Sequence, residues 1–222
     1  MKKFILMAVA AMMATTSMNA QGRFEPGTFT LQPRVGVQAA TYNNSPDIVD
    51  FDEGSLKTKG KGGFLVGADL GYQVNDWFEV SAGVNWAQAG MGFKDAKLGQ
   101  VDVKDLMIET SYINVPVTAN FYVLKGLALK TGVQFGFLTS AKTKGDITAA
   151  GVTEKMNEDC KDVFNKFDLA IPVGISYEFK NHIVLDARYN FGITRANKEK
   201  EPGSDNIRNL TFAFTIGYKF GL

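Results

Sequence analysis

Apolar and polar residues alternate along much of the chain, in segments separated by polar or turn-forming stretches. A period of two places successive side chains on opposite faces of a β-strand. Seven segments show it, at residues 64–72, 78–86, 112–123, 127–137, 167–177, 182–192 and 209–220. A further strand is expected near residues 28–41, and a single-chain barrel closes with an even number of strands. We therefore predict an all-β fold, an eight-stranded antiparallel transmembrane β-barrel.

The connections between these segments alternate in length. Short connections lie at residues 73–76, 124–126 and 178–181, and long polar ones at residues 42–62, 89–109, 141–165 and 195–206. Outer-membrane barrels have short periplasmic turns at one rim and long extracellular loops at the other. We expect this arrangement here, with both chain ends at the short-turn rim.

The polar face of the alternating segments separates a membrane barrel from a soluble one. A lipocalin-like soluble barrel would show the same alternation, with its apolar face inside and its polar face in water. Here the polar positions are mostly Gly, Ala, Ser, Thr and Asn, whereas a solvated face carries more Lys and Glu. Small residues suit the inside of a narrow barrel, so the pattern favours the membrane barrel.

Aromatic residues are expected in two bands, because amphipathic rings concentrate at both interfaces of a membrane. One band lies near the short turns and comprises Tyr72, Trp77, Phe78, Phe121, Tyr122, Tyr177, Phe179, Tyr218 and Phe220. The other lies near the loops and comprises Trp86, Tyr112, Phe135, Phe137, Phe167, Tyr189 and Phe191.

An internal repeat indicates a sheet built from similar hairpins. Pro116 precedes Leu129 by the same interval that separates Pro172 from Leu185, and a Phe-Gly pair follows in both copies. Proline lacks the N–H group that a β-ladder uses. We therefore expect both prolines near strand starts or bulges, at the rim where the loops begin.

The first residues have the pattern of an export signal. Met1-Lys2-Lys3 is basic, an uncharged apolar run extends from Phe4 to Ala14, and Ala20-Gln21 is a suitable cleavage point. The run is shorter than the roughly 20 residues of a membrane-spanning helix. A buried N-terminal helix is the disfavoured alternative, because nothing caps or continues it. We predict a signal peptide at residues 1–20 and a barrel domain at residues 21–222.

Composition and charge narrow the possible functions. The chain has 222 residues, a formal charge of +1, one His and one Cys, and its mean hydropathy of −0.07 is too polar for a helical membrane bundle. The charge balance gives no basic field for nucleic acid. A single Cys excludes an internal disulfide, and with one His it cannot form a Cys/His zinc site. We expect no cofactor, no metal and no nucleic-acid partner.

Charged residues on the inward face are the candidate site residues. They are Arg34, Asp69, Glu79, Lys130, Asp168, Asp186 and Arg188. Opposite charges in a narrow lumen should pair, because an unpaired buried charge is costly. They could line an ion path or a gate. We favour a structural plug, because an eight-stranded interior is too small for a water channel.

His182 and Cys160 are the only His and the only Cys of the sequence, and each is a candidate for chemistry. His182 lies beside a short turn, away from the outer rim where barrel enzymes bind substrate, so we expect an interfacial or capping role and no catalytic residue. Cys160 is expected to be a free, exposed thiol in the third long connection. Residues 156–164 of that connection could form a short helix.

An acidic run in the first long connection could hold Ca²⁺. Its spacing does not match a calcium loop, so we interpret it as a solvated loop. The run consists of Asp47, Asp50, Asp52 and Glu53.

Two segments resemble a known family. The sequences SYINVPV at 111–117 and LDARYNFGI at 185–193, with the Lys-Lys start and the Ala20-Gln21 junction, are similar to the PorT-type outer-membrane β-barrel family of Bacteroidetes. The resemblance implies an eight-stranded outer-membrane barrel with the small OmpA/OmpX-like architecture. Through the founding member it also implies an accessory role in protein secretion, although the family name covers many proteins of unknown role.

These patterns predict a non-catalytic protein of the cell outer membrane, with a plugged interior, that acts as an envelope or surface scaffold or docking protein. The alternatives are a secretion-system accessory or narrow pore and, less favoured, an outer-membrane enzyme. The expected partners are outer-membrane lipid, the barrel-assembly machinery, and other envelope or secretion proteins.

Overall fold

A computed structural model describes residues 24–43, 48–51, 54–98, 100–149, 152–198 and 207–222. The predicted signal peptide at residues 1–20 lies outside them. Within this part of the chain, no helix is long and apolar enough to cross a membrane. A 3₁₀ turn covers Lys161–Val163, and the strands are β1 (Phe29–Asn43), β2 (Ile48–Phe51), β3 (Gly54–Asn75), β4 (Phe78–Phe93), β5 (Ala96–Leu98), β6 (Val101–Tyr122), β7 (Leu127–Ala149), β8 (Val152–Asp159), β9 (Phe167–Glu178), β10 (Ile183–Gly192), β11 (Arg208–Tyr218) and β12 (Phe220–Gly221).

Eight of these strands form a closed antiparallel ring. Its order is β1-β3-β4-β6-β7-β9-β10-β11, and β1 closes it by pairing with both β3 and β11. Arg34, for example, is opposite Gly67 on one side and Gly217 on the other. β12 continues the last strand and pairs with the start of β1. The predicted eight-stranded barrel is confirmed, and closure leaves the ring without a free edge.

The two faces of the ring have opposite polarity. Inward positions are polar, such as Asn85 and Thr215, which are 2% and 1% exposed. Outward positions are apolar, and Phe64 and Ile175 are 67% and 52% exposed. An apolar outer face that surrounds the whole ring is far larger than a water-soluble monomer presents. The faces are therefore arranged as in a membrane barrel and not as in a lipocalin.

The short-turn rim is where both described ends of the chain meet. Tight turns join β3 to β4, β6 to β7, and β9 to β10 there. The Leu222 N–H donates to the Phe29 carbonyl (2.8 Å). The Phe24 ring stacks on His182 with 4.6 Å between centroids. Both ends thus lie at the rim that the loop lengths predicted.

Two of the aromatic residues assigned to the two bands point inward instead. Tyr112 and Tyr122 are 4% and 9% exposed. The two tyrosines occupy the same alternation as Asn114 and Asn120, so the pleat directs them inward, where their hydroxyls meet polar partners. Band members on the outer face, such as Trp77 at one rim and Phe167 at the other, are exposed.

The first three long connections are mostly strand. β3, β6 and β7 have 22, 22 and 23 residues, about twice what a membrane crossing needs. Their outer ends pair with β2, β5 and β8. We call this extension of β3, β4, β6 and β7, with the three short strands, the projecting sheet. The short helix expected at residues 156–164 is confirmed only in part. β8 covers residues 156–159, where ladder pairing with β7 satisfies the backbone, and the 3₁₀ turn covers Lys161–Val163.

An apolar cluster closes the outer mouth of the barrel. The inward positions of β4 change from polar to apolar after Asn85, and similar changes occur on β1 and β7. We call this cluster the outer cap; its buried members are Ala40, Tyr42, Ala89, Met91, Phe93, Val103, Tyr112, Leu138, Ala141, Phe164 and Ala196. The apolar core of the described chain thus lies beneath the projecting sheet and not between the membrane-crossing strands.

The two prolines of the repeat lie in the middle of strands, so their placement at the rim was wrong. Pro172 is the sixth residue of β9 and is fully buried, and Pro116 lies at a comparable depth on β6. The β7–β9 ladder is interrupted between Thr131 and Gln134, opposite Pro172. The missing N–H is thus accommodated by a local gap in the ladder, inside the barrel.

Val115→Arg tests the outer face. Val115 faces outward on β6, opposite Phe135, and an arginine near the bilayer midplane is expected to destabilise the folded barrel by about 2–4 kcal/mol. Val152→Arg is the matched control, because Val152 is 71% exposed on β8 and should change stability by less than about 0.5 kcal/mol. Urea unfolding in lipid vesicles, followed by heat-modifiability gels, measures both; equal effects would contradict the assignment of faces.

Candidate functional site

The barrel interior brings most of the predicted charged residues into ion pairs. The first pair joins β1 to β3: Arg34 Nε lies 2.9 Å from Asp69 Oδ2, and Arg34 Nη2 donates to Asp69 Oδ1 (3.2 Å). Asp69 projects over Gly83 of β4, where a Cβ would overlap its carboxylate. Glycine at this position therefore provides the space that the pair occupies.

The second group joins β7 to β10. Lys130 Nζ lies 2.9 Å from Asp186 Oδ2, and Arg188 Nη2 lies 3.2 Å from the same oxygen. All three side chains are no more than 5% exposed. Asp186 and Arg188 are two residues apart, so they share the inward face of β10. One carboxylate therefore lies between two cations, and all three groups are buried.

The third group contains residues that sequence reasoning did not assign to the network. Lys219 Nζ lies 2.8 Å from Glu79 Oε2 and 3.2 Å from Glu178 Oε2, and it donates to the Tyr122 hydroxyl (2.8 Å). The Tyr122 hydroxyl donates in turn to Glu79 Oε2 (3.1 Å). Lys219 follows the inward alternation of β11 and Glu178 ends β9, so the period of two could have identified both. Both lie beside turns, where the alternation ends, so the pattern did not assign them to the inward face.

His182 extends this third group toward the short-turn rim. Its Nδ1 lies 3.1 Å from Glu178 Oε1, and Phe24 covers its ring. The residue has a φ of +61°, in the left-handed region that a tight turn requires. His182 therefore contacts the turn, the network and the N-terminal segment, at the rim opposite the outer cap.

Asp168 is placed apart from the other six predicted residues. Its Oδ1 accepts hydrogen bonds from Asn209 Nδ2 (3.1 Å) and Thr194 Oγ1 (3.2 Å). Within the described ranges no Lys or Arg forms an ion pair with it, so the expectation of pairing was not met at this position. Asp168 lies just beneath the outer cap, where Tyr112 also contacts Asn209.

Uncharged polar side chains fill the space between the charged groups and form hydrogen bonds with one another. Ser81 and Thr118 hydroxyls are 2.8 Å apart, and Asn114 Nδ2 donates to Asn85 Oδ1 (3.1 Å). A cavity of about 30 Å³ remains beneath the outer cap, enough for one or two water molecules. It is lined by polar groups that include Gln38, Gln134, Asp168, Asn190 and Asn209. This arrangement can hold ordered water and fixed charges.

The remaining chemical candidates can be placed only in part. Cys160 is half-buried against the outer cap, so its expected full exposure was wrong: the 3₁₀ turn that follows folds it inward. Asp47, Asp52 and Glu53 lie outside the described residues, and only the backbone of Asp50, in β2, is described. Across the described ranges, no group of three or more His, Cys, Asp or Glu residues could hold a metal ion.

Asp186→Asn tests how strongly the folded barrel depends on the interior ion pairs. The change leaves Lys130 and Arg188 buried beside a neutral amide, and it should destabilise the barrel by about 3–5 kcal/mol. Asp102→Asn is the control, because Asp102 pairs with Lys97 at the exposed tip (3.5 Å) and should cost less than about 1 kcal/mol. Denaturant unfolding in detergent measures both; a small, similar loss in the two variants would contradict a tightly coupled interior.

Several solved outer-membrane barrels are similar to this chain. Ail of Yersinia pestis, in complex with the heparin analogue sucrose octasulfate, shares 16% identity over 88% of this chain and 99% of its own, with a TM-score of 0.46. OprG of Pseudomonas aeruginosa shares 14% over 90% and 98%, with a TM-score of 0.47. Neisserial surface protein A shares 17% over 86% and 97%, with a TM-score of 0.42.

The family assignment comes from the sequence itself. A search of curated proteins finds no match. The family model described as "Outer membrane protein beta-barrel domain" matches residues 19–197, which include seven of the eight ring strands. The closed ring, its apolar outer face and this match agree: the chain belongs to the outer membrane protein β-barrel domain family and resides in the cell outer membrane.

Proposed function

We propose that this protein is a non-catalytic, plugged barrel that serves as a scaffold or docking protein of the cell envelope. The observation that carries the proposal is the filled interior. Charged groups that compensate one another form three groups of ion pairs in the lumen, and the outer cap lies above them. A passing ion would have to displace these pairs and also separate the apolar cluster.

The energetics of the interior favour a plug over a gate. Breaking a buried pair exposes each partner to a low-dielectric space, at a cost of about 3–5 kcal/mol for each pair. Arg34–Asp69 and the Asp186 group both lie on rigid paired strands and not on mobile loops. A gate needs an element with two arrangements of similar free energy, and these strands are locked on both sides by ladders.

Docking is assigned to the projecting sheet. The hairpin of β7 and β8 extends beyond the barrel, and β8 is exposed along nearly its whole length. Charged residues at 154, 155, 158 and 159 prevent indiscriminate edge pairing. In the proposal, other envelope proteins bind this sheet and outer-membrane lipid contacts the apolar face. The assembly machinery recognises the last strand, β12, and the exposed Leu222 that follows it.

A planar-bilayer recording tests the plug. The purified full chain, inserted at a density verified by antibody, is expected to give no stepwise conductance, because pairs and cap obstruct the lumen in series. A general porin in the same bilayer is the positive control. Reproducible single-channel steps from the folded, heat-modifiable form would overturn the plug and favour the narrow pore.

A secretion accessory is the second candidate, and the similarity of residues 111–117 and 185–193 to the PorT-type family of Bacteroidetes favours it. The projecting sheet would supply the surface for such a partner. The enzyme alternative is disfavoured, because His182 lies at the short-turn rim with Glu178 and beneath Phe24.

A deletion strain distinguishes the two candidates. If the protein assists secretion, one class of surface proteins should be lost from the surface and secreted proteomes, while other outer-membrane proteins stay at parental levels. Complementation with the intact gene is the control. An unchanged proteome would contradict the secretion role, and the scaffold role would then be the remaining candidate.

A further inference from the structure

The outward face of the projecting sheet carries four lysines around one carboxylate. Lys59 and Lys61 lie on β3, Lys142 and Lys144 on β7, and Glu109 lies between them on β6. We call these residues the lysine cluster. Lys61 Nζ lies 3.3 Å from Glu109 Oε2, and Lys144 Nζ lies 3.0 Å from Glu109 Oε1. Two lysines thus compensate Glu109, while Lys59 and Lys142 are exposed.

The cluster keeps a positive charge when its neighbours are included. Asp159 on β8 is directly opposite Lys142. Counting it with Glu109 gives two negative charges against four positive ones, a net charge of +2. Burial alone would raise the pKa of Glu109, but the hydrogen bond from Lys144 and the charge of Lys61 hold that pKa below its usual value. Glu109 is therefore ionised at neutral pH and orders the two lysines it contacts.

Glycines on β4 allow the lysine side chains to lie across the strand. Gly90 is opposite Glu109 and has a φ of +128°, and Gly92 is opposite Lys59. A Cβ at Gly92 would lie 3.0 Å from the Lys59 side chain, so the Lys59 methylenes pass over this position. A Cβ at Gly90 would overlap the Ile108 carbonyl of β6, and Lys61 on β3 reaches across β4 to Glu109. The cluster is therefore one continuous surface on four neighbouring strands.

The lysine cluster continues the apolar outer face of the same strands. Phe64, Trp86, Ile113 and Phe137 are exposed on β3, β4, β6 and β7, on the side of the ring that meets lipid. Gly90 is four residues beyond Trp86, about 13 Å along the strand and about 10 Å along the barrel axis at the usual tilt. At that height above an aromatic band, the polar headgroups of the outer leaflet begin.

We propose that the lysine cluster binds the phosphate groups of the phosphorylated glycolipid in the outer leaflet of the outer membrane. The cluster faces sideways, toward the headgroups, and not toward the mouth of the barrel. Its charge is opposite to that of a phosphate, and lysine donates to phosphate oxygens from a flexible stem. The inference goes beyond the scaffold proposal, because it depends only on the outer-membrane location and the outward face.

This contact gives the projecting sheet a second support. The sheet stands beyond the apolar belt, so hydrocarbon does not hold it. Phosphates bound at Lys59 and Lys142 would fix its lower edge on the membrane surface. The exposed tip of the β7–β8 hairpin would then stand at a constant height above the headgroups.

Lipid binding to the detergent-solubilised full chain tests the proposal by native mass spectrometry. The probes are bisphosphorylated lipid A and the same glycolipid after dephosphorylation. We expect the wild type to bind the phosphorylated form at least about tenfold more tightly, since each lysine near a charged headgroup contributes appreciably. Replacing all four lysines by Gln should remove most of that preference. The control replaces Lys97, Lys104, Lys125 and Lys180 by Gln, which removes the same charge elsewhere, and should retain the preference.

Each other result would overturn the proposal. Equal binding of the two glycolipids by the wild type would show that the protein does not recognise the phosphate groups. Equal losses of binding in the two quadruple variants would show that only the net charge of the protein matters. Displacement of lipid A by inorganic phosphate at the same phosphate concentration would assign the site to a free anion. If the cluster variant does not fold in a heat-modifiability gel, Lys59→Gln with Lys142→Gln, which keeps both partners of Glu109, replaces it and should weaken binding several-fold.

Discussion

Closing eight strands into a ring places every second side chain in a space too narrow for water to solvate it. All the other features of the interior follow from that constraint. A charge on an inward position is costly unless it is compensated. Arg34 meets Asp69 on the adjacent strand, and Lys130 meets Asp186 across one intervening strand. Small residues must be placed where such pairs need volume, as Gly83 is beside Asp69. The outward positions are left with hydrocarbon as their solvent and are apolar for that reason.

The period of two was enough to predict the ring and the inward face, because strand alternation is a local property of the chain. Lys219 and Glu178 were harder to assign because they lie at strand ends, where the pattern meets a turn. Asp168 was expected to pair by charge, yet its hydrogen bonds come from Asn209 and Thr194. Which residues meet across a ring depends on the stagger between strands, and alternation carries no information about stagger.

The projecting sheet was missed for a different physical reason. Its strands lie in water on at least one face and need no continuous apolar alternation, so their sequences resemble polar loops. Their inward positions form the outer cap, but these residues come from six separate places in the chain. An apolar cluster of this kind becomes visible only when the ring brings its parts together. Cys160 was misjudged as exposed because its burial depends on that same assembly.

The strands of the ring differ greatly in length from one side to the other. β6 and β7 have 22 and 23 residues, whereas β10 and β11 have 10 and 11, a difference of roughly 40 Å along the strand. Within the described residues, the ladder of strands therefore rises higher on the side of β6 and β7 than on the side of β10 and β11. A protein beside it in the membrane meets the projecting sheet where it approaches β6 and β7, and shorter strands where it approaches β10 and β11. Contacts between neighbouring copies therefore depend on how each copy is rotated about the membrane normal.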